Sequence, residues 1–253
     1  MLRAGIRKTW AGRHELQRRN ASVIFVLFNS NSEAEMTHIM QKHGDILYVD
    51  VAEKYENLPL KWLVGNWIVM WLHHHCRSTQ WFMKVDSTIL PSLDAATSVV
   101  HNKNNRKPGI YGHCVGNRTV YRYGRYRVPE SAYDGEFFPV YCSGPAYVYN
   151  FETLSRLLLT VPQVPLIPLE DAWVTGVVAE RACVPRVSSS NASEVHRPSP
   201  CVLKHQLMYE VSYSPHMSSY LSYSPRLIVW RLSRVWRSLL AARTSDCETE
   251  HKT

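Results

Sequence analysis

The sequence predicts an α/β fold, and three observations carry that expectation. Apolar runs of strand length, rich in β-branched and aromatic residues, recur through the first half. Segments with helical periodicity separate them. The first run is apolar throughout, as a parallel strand covered on both faces is. Together they imply a central, mostly parallel sheet flanked by helices.

The first run is "SVIFVLF" (22–28). "NSNSEAEM" follows with Asn and Ser as cap candidates, which predicts a helix through about Gln41. "GDILYVD" (44–50) is the second strand. "LPLKWLVGNWIVMWLHHHC" (58–76) places Leu60, Leu63, Val64, Trp67, Ile68, Trp71 and Leu72 at helical spacing and predicts a buried helix. "WFMKVD" (81–86) is the third strand, and "SLDAATSVV" (92–100) a short helix. Strands are expected at 109–114 and 119–128, the latter with alternating aromatic and basic residues, and a Gly/Pro-broken strand pair at 138–150. Helices are expected at 151–160 and from Glu170 to Arg181.

Beyond Val187 the character changes. "SSSNASEVHRPSP" has linker composition, and a Ser-Tyr-Ser-Pro unit occurs twice, at 212–215 and 222–225. Residues 1–187 therefore read as one domain and 188–253 as a separate segment. "RLIVWRLSRVWRSLLAAR" (226–243) forms an amphipathic helix with Ile228, Leu232, Val235, Trp236 and Leu239 on one stripe. Such a helix either lies on a membrane surface or packs on the domain.

The 253 residues are enough for one sizeable core. A hydrophobic fraction of 45% against 20% charged residues excludes a disordered chain. The formal charge of +8 suits a phosphorylated ligand, an anionic membrane or nucleic acid, but no nucleic-acid-binding motif accompanies it. Six scattered cysteines contain no C-x-x-C pair, which argues against a zinc ribbon and leaves disulfides or buried thiols. Three N-x-[ST] sequons, at Asn20, Asn117 and Asn191, tip that balance toward a secretory compartment. No run is long and apolar enough for a transmembrane helix, and "MLRAGIRKTW" has no signal-peptide core.

Five blocks, in order, resemble one family. They are "RAGIRKTWAG" (3–12), "DILYVDVAEKYENLPLKW" (45–62), "CRSTQWFMKVDSTIL" (76–90), "FFPVYCSGPAYVYN" (137–150) and "PLEDAWVTGVVAERACV" (168–184). The chain is similar to glycosyltransferase family 31, the β-1,3-galactosyltransferase and N-acetylglucosaminyltransferase group of hexosyltransferases. That resemblance implies a GT-A fold binding a nucleotide sugar, with Mn²⁺ at the end of a sheet strand. It implies UDP-galactose or UDP-N-acetylglucosamine as donor, an inverting transfer, and a glycan acceptor on glycoprotein or glycolipid. It further implies a type II protein of the Golgi membrane facing the lumen, with the anchor missing from this chain.

The chemistry is consistent with those implications. A diphosphate leaving group gains charge as the glycosidic bond breaks, and a divalent cation stabilises it. Hard cations prefer carboxylates, and ligands gather at strand ends of open α/β sheets. The family's acidic triplet falls here on Asp86, Ser87 and Thr88, so one acid is kept and two positions are neutral. Asp86 is thus the metal or ribose candidate, with His205 or His216 the candidate histidine ligand. The "HHH" at 73–75 either packs or caps its helix or contributes to a metal site. Asp171 matches the family's base, the carboxylate that takes the acceptor proton; as an isolated feature, Glu170–Asp171 would be an acid pair favoured at a helix N-terminus. Arg3, Arg7, Lys61 and Lys84 are candidates for binding diphosphate or uridine, and Glu170 for binding substrate. Trp81, Tyr141 and Tyr147 are either core or a sugar-stacking wall. The neutral triplet positions also raise an alternative: a relative that binds nucleotide sugar or glycan without transfer.

Overall fold

The computed structural model describes residues 1–29, 33–75, 79–102, 107–188, 208–210 and 225–242. Its elements run α1 (Leu2–Arg7), α2 (Arg13–Gln17), β1 (Phe25–Asn29), α3 (Glu33–His43), β2 (Ile46–Ala52), α4 (Leu58–His75), β3 (Trp81–Val85) and β4 (Ile89–Pro91). They continue with α5 (Leu93–His101), β5 (Ile110–Val115), β6 (Arg118–Thr119), β7 (Phe137–Phe138), β8 (Tyr141–Asn150) and α6 (Phe151–Thr160). A π-helical segment (Ala172–Val178) then runs into α7 (Ala179–Arg181), followed by β9 (Arg186–Ser188), β10 (Met208–Glu210) and α8 (Pro225–Ala242).

The α/β class and the helix-flanked central sheet are as the sequence predicts, but strand direction is mixed. β1 and β2 pair in parallel around the α3 crossover. The four-stranded sheet has the order β3-β8-β5-β9, and β8 runs antiparallel to both β3 and β5, with β9 parallel to β5. The physical reason lies in β8. Its ten residues sit in the middle of the sheet, and Ala146 to Asn150 are buried on both faces. Burial on both faces therefore reports a central position here and not a parallel neighbour.

Two other expectations change, and one alternative is decided. The strand expected over 119–128 is confined to Arg118–Thr119, and residues 120–128 form a loop. Gly124 has φ +81° within it, a left-handed turn that an alternating strand pattern hides. The 58–76 helix is buried on one side only: Trp62 is core, whereas Trp67 and Trp71, four residues apart, are exposed. His73 stacks on Phe151 at 3.6 Å and its Nδ1 lies 2.9 Å from the Thr79 carbonyl, which is a packing role.

The main core gathers Trp62, Ile110, Tyr147, Leu154, Leu157, Ile167, Trp173 and Val178 under the sheet. A second core joins the two ends of the described chain: Ile6 and Trp10 pack with Leu90, Leu232 and Trp236. Gly5 permits this, because a Cβ there would stand 2.8 Å from Val229 Cγ2. The stripe expected on the C-terminal helix is thus partly buried against α1, and Leu232 is fully enclosed. This is the packed alternative and not the membrane-surface one. Among the described residues no helix is long and apolar enough to cross a membrane.

Cys114 and Cys142 form a disulfide across β5 and β8, while Cys183 is a free, exposed thiol. Asn20 and Asn117 are both exposed at left-handed backbone positions, with φ 47° and 54°. Asn191 lies outside the described residues.

Leu232→Ala should cost about 2–5 kcal/mol of unfolding free energy, read by denaturant titration, because it empties the middle of the second core. An unchanged midpoint would mean that α8 does not pack on α1.

Candidate active site

The site grows from the end of β3. Val85 is the last ladder residue, and the Asp86 N–H extends the pairing to the Pro145 carbonyl at 2.9 Å. The chain then turns, with Ile89 N–H donating to the Asp86 carbonyl at 3.0 Å. Ser87 and Thr88 occupy that turn. Asp86 therefore stands at the strand tip with its side chain half exposed.

Lys84 ties this tip to the rest. Its Nζ donates to Asp86 Oδ1 at 2.6 Å and to the Gly144 carbonyl, and lies 3.2 Å from Glu170 Oε2. The other Glu170 oxygen accepts from the Tyr147 hydroxyl. Glu170 and Tyr147 are buried. Burial pushes the Glu170 carboxyl above its usual range, Lys84 and the Tyr147 hydroxyl oppose that, and Asp171 and Asp86 reinforce it. For Lys84, burial alone would lower the value, but Glu170 and Asp86 outweigh it and hold the ammonium charged. Tyr147 is pushed well above the usual phenol value by burial and by Glu170.

Asp171 starts the π-helical segment. Its Oδ1 accepts from Ala172 N–H and its Oδ2 from Gly144 N–H, both at 2.9 Å. The Thr175 hydroxyl donates to the Asp171 carbonyl at 2.7 Å and accepts from Cys142 N–H at 2.8 Å. One residue, Gly144, thus touches Asp171 through its N–H and Lys84 through its carbonyl. Each carboxylate oxygen of half-buried Asp171 retains a lone pair for a hydroxyl proton.

Of the residues singled out in the sequence, Lys84, Asp86, Glu170 and Asp171 come together. Arg7 is engaged elsewhere: its guanidinium grips Asp45 with bonds of 2.7 and 2.6 Å and stacks over Phe25. Lys61 pairs with Glu53 at 2.6 Å above Phe28. Arg3 is half-buried on α1. Tyr147 is core, with its hydroxyl turned to Glu170; Trp81 packs on Tyr111 and Tyr141 on Phe138. His205 and His216 lie outside the described residues.

Sequence reasoning missed Tyr55, Arg125 and Tyr126. Tyr55 and Tyr126 meet edge to face at 5.8 Å, with the Arg125 guanidinium 5.3 Å and 5.5 Å from their ring centres. Tyr55 is pushed up to about 12 by burial, then by Asp171, which places it within the electrostatic reach of the site. The available signal was the aromatic-basic alternation of "YRYGRYR" (121–127), taken for a strand.

The described residues do not by themselves make a Mn²⁺ site. Among them no three His, Cys, Asp or Glu side chains are arranged to hold a metal ion. Asp86 already faces an ammonium, and its neighbours are neutral hydroxyls.

Residues 1–190 match the family model described as Galactosyltransferase. Among similar curated proteins is beta-1,3-galactosyltransferase 5 of Pan troglodytes, 30% identical over 184 residues, covering 71% of this chain and 61% of that protein. The Homo sapiens protein of the same name is 27% identical over 250 residues, covering 97% of this chain and 76% of its own length. Beta-1,3-galactosyltransferase 1 of Mus musculus is 23% identical, covering 68% of this chain and 54% of its own length. The chain thus spans about three fifths of the Pan troglodytes relative. A solved glycosyltransferase involved in glycosylation of the major capsid of PBCV-1 aligns with a TM-score of 0.43 and 12% identity, covering 84% of this chain and 100% of that one.

Lys84→Met should destabilise the fold by about 3–5 kcal/mol near neutral pH, by leaving Glu170 buried without its cation. The sign follows from linkage. Glu170 already titrates above the usual range, and losing Lys84 raises it further. The loss should therefore shrink as pH falls through that raised value and Glu170 takes up a proton. Denaturant unfolding of both proteins across the acidic range checks this; a pH-independent loss would contradict it.

Proposed function

The chain belongs to the galactosyltransferase family, glycosyltransferase family 31, and from that premise we propose that it transfers galactose from UDP-galactose to a glycan hydroxyl, with inversion and a β-1,3 linkage. UDP-N-acetylglucosamine is the second donor to test. The observation that carries the reading is the placement of Asp171. It lies beside the strand tip that carries Asp86, linked to it through Gly144 and Lys84.

In this mechanism Asp171 takes the proton of the acceptor hydroxyl as that oxygen attacks the anomeric carbon. The bond to the diphosphate breaks, and UDP leaves with the electron pair. The two backbone donors hold the carboxylate in place, so its geometry is set before substrate arrives. Lys84 and Glu170 position the Asp86 turn, where the ribose or diphosphate would sit. A divalent cation would stabilise the leaving group, as in the family expectation, but the described residues offer it only Asp86, and no step here is routed through it. The Cys114–Cys142 disulfide and exposed Asn117 support work in an oxidising lumen, which we take to be the Golgi. The acceptor is a glycan on glycoprotein or glycolipid.

One observation favours a second reading, a relative that binds without transferring. Asp86 is the sole acid of its triplet and is neutralised by Lys84. Asp171→Asn separates the two readings. Galactose transfer from UDP-galactose to a β-N-acetylglucosaminide should fall about 10²–10⁴-fold in kcat, with UDP affinity unchanged in calorimetry. A wild-type protein that binds UDP but transfers nothing would leave the binding reading. In that case Thr88→Asp should strengthen Mn²⁺-dependent UDP binding by restoring a carboxylate; no change would show that the triplet is not the reason.

A further inference from the structure

The 120–128 loop is anchored at its feet and presented at its tip. Val120 and Val128 are buried, and Val128 N–H closes the loop onto the Tyr121 carbonyl at 2.7 Å. Arg122 points inward and donates to three carbonyls: Val128 at 3.0 Å, Tyr133 at 2.7 Å and Gly135 at 2.9 Å. Gly124 makes the left-handed turn, and Arg127 N–H returns to its carbonyl at 3.3 Å. So fixed, the loop holds Tyr121, Tyr123 and Tyr126 in solvent, with exposures of 57%, 83% and 46%. Tyr121 and Tyr123 are exposed beyond any core, and Tyr126 packs only at the surface, on Tyr55.

Arg125 is the second observation. Its guanidinium lies against both Tyr55 and Tyr126, 5.3 Å and 5.5 Å from ring centres that are themselves 5.8 Å apart. A guanidinium has five N–H donors, and stacking leaves its edge open to a ligand. The third observation is location. Tyr55 immediately precedes α4 and feels the charges of both Asp171 and Asp86, while Tyr141 feels those of Asp171 and Tyr121. Tyr141 also packs against Gly176, where an added Cβ would stand 3.1 Å from Tyr141 Cβ, in the segment that Asp171 starts, so the loop lies on the side of the carboxylate that we assign as base.

We propose that Tyr55, Arg125 and Tyr126 form the platform for the acceptor sugar, a neutral β-linked hexose or N-acetylhexosamine. This rests on the base role given to Asp171 above. A pyranose has one face of C–H groups, weakly positive, which fits the negative face of a phenol ring. Its equatorial hydroxyls project around the edge, where the Arg125 N–H groups can donate to them. Because Arg122 holds the loop before binding, little ordering cost falls on the complex. The same base that takes the acceptor proton must lie beside the acceptor ring, and Tyr55 of this platform falls within reach of the Asp171 charge.

The test measures sugar and nucleotide separately. Saturation-transfer NMR with methyl β-N-acetylglucosaminide and N-acetyllactosamine reads glycan contact; calorimetry with UDP reads the donor side. Tyr126→Ala, an exposed change that leaves the fold intact by circular dichroism, should weaken glycan binding about tenfold and leave UDP affinity unchanged. Arg125→Ala should do the same, and Arg125→Lys should recover only part, since an ammonium lacks the planar stack. Unchanged glycan binding in these variants, or no glycan binding to the wild type, overturns the proposal. So does loss of UDP affinity in place of glycan affinity, which would make the platform a uracil stack. A wild type that binds glycan here yet neither binds UDP nor transfers would defeat the transferase reading and keep the platform.

Discussion

The organisation of the site depends on one buried charge contact, Lys84 with Glu170. A carboxylate with so little exposure is stable as an anion only beside a cation. Lys84 provides that cation from the end of β3, and its remaining hydrogen bonds reach Asp86 and the Gly144 carbonyl. The same contact therefore fixes three things that are distant in sequence: the strand tip, the middle of β8, and the start of the π-helical segment. Asp171 follows Glu170 directly, so its position is inherited from the pair. Its two backbone bonds then set its orientation.

Several of these relations were legible in the sequence because they are local. Asp86 ends an apolar run, Glu170 and Asp171 precede a helical one, and both sit in blocks that resemble the family. The helix at 151–160 was legible for the same reason, with Asn150 capping Thr153. The non-local relations were not legible. That Lys84 joins Glu170 depends on β8 running antiparallel beside β3, and periodicity carries no strand direction. Residues 138–150 read as a strand pair broken at Gly and Pro, yet Gly144 and Pro145 lie inside one continuous central strand, β8. "YRYGRYR" alternated like a strand, yet Gly124 and the inward Arg122 make it a loop. Arg7 looked like a ligand for phosphate and is instead held by Asp45, a partner 38 residues away.

The charge balance at the site is set, among the described residues, by one lysine and three acids. Lys84 is one ammonium among three carboxylates, Asp86, Glu170 and Asp171, and two of the three face it directly. Ser87 and Thr88 add hydroxyl oxygens but no charge. Among the described residues, the organising cation of this corner is a side chain. Arg125, set against the rings of Tyr55 and Tyr126, adds a second positive group on the side assigned to the acceptor.

The most direct check on this account is the titration of the Glu170 carboxyl carbon by ¹³C NMR, with Glu170→Gln used to assign the signal. The account predicts that this carboxyl titrates above the ordinary glutamate range, because burial outweighs the pull of Lys84 and Tyr147. A Glu170 titration that does not rise further in Lys84→Met would contradict it, since the contact around which the site is built would then be absent.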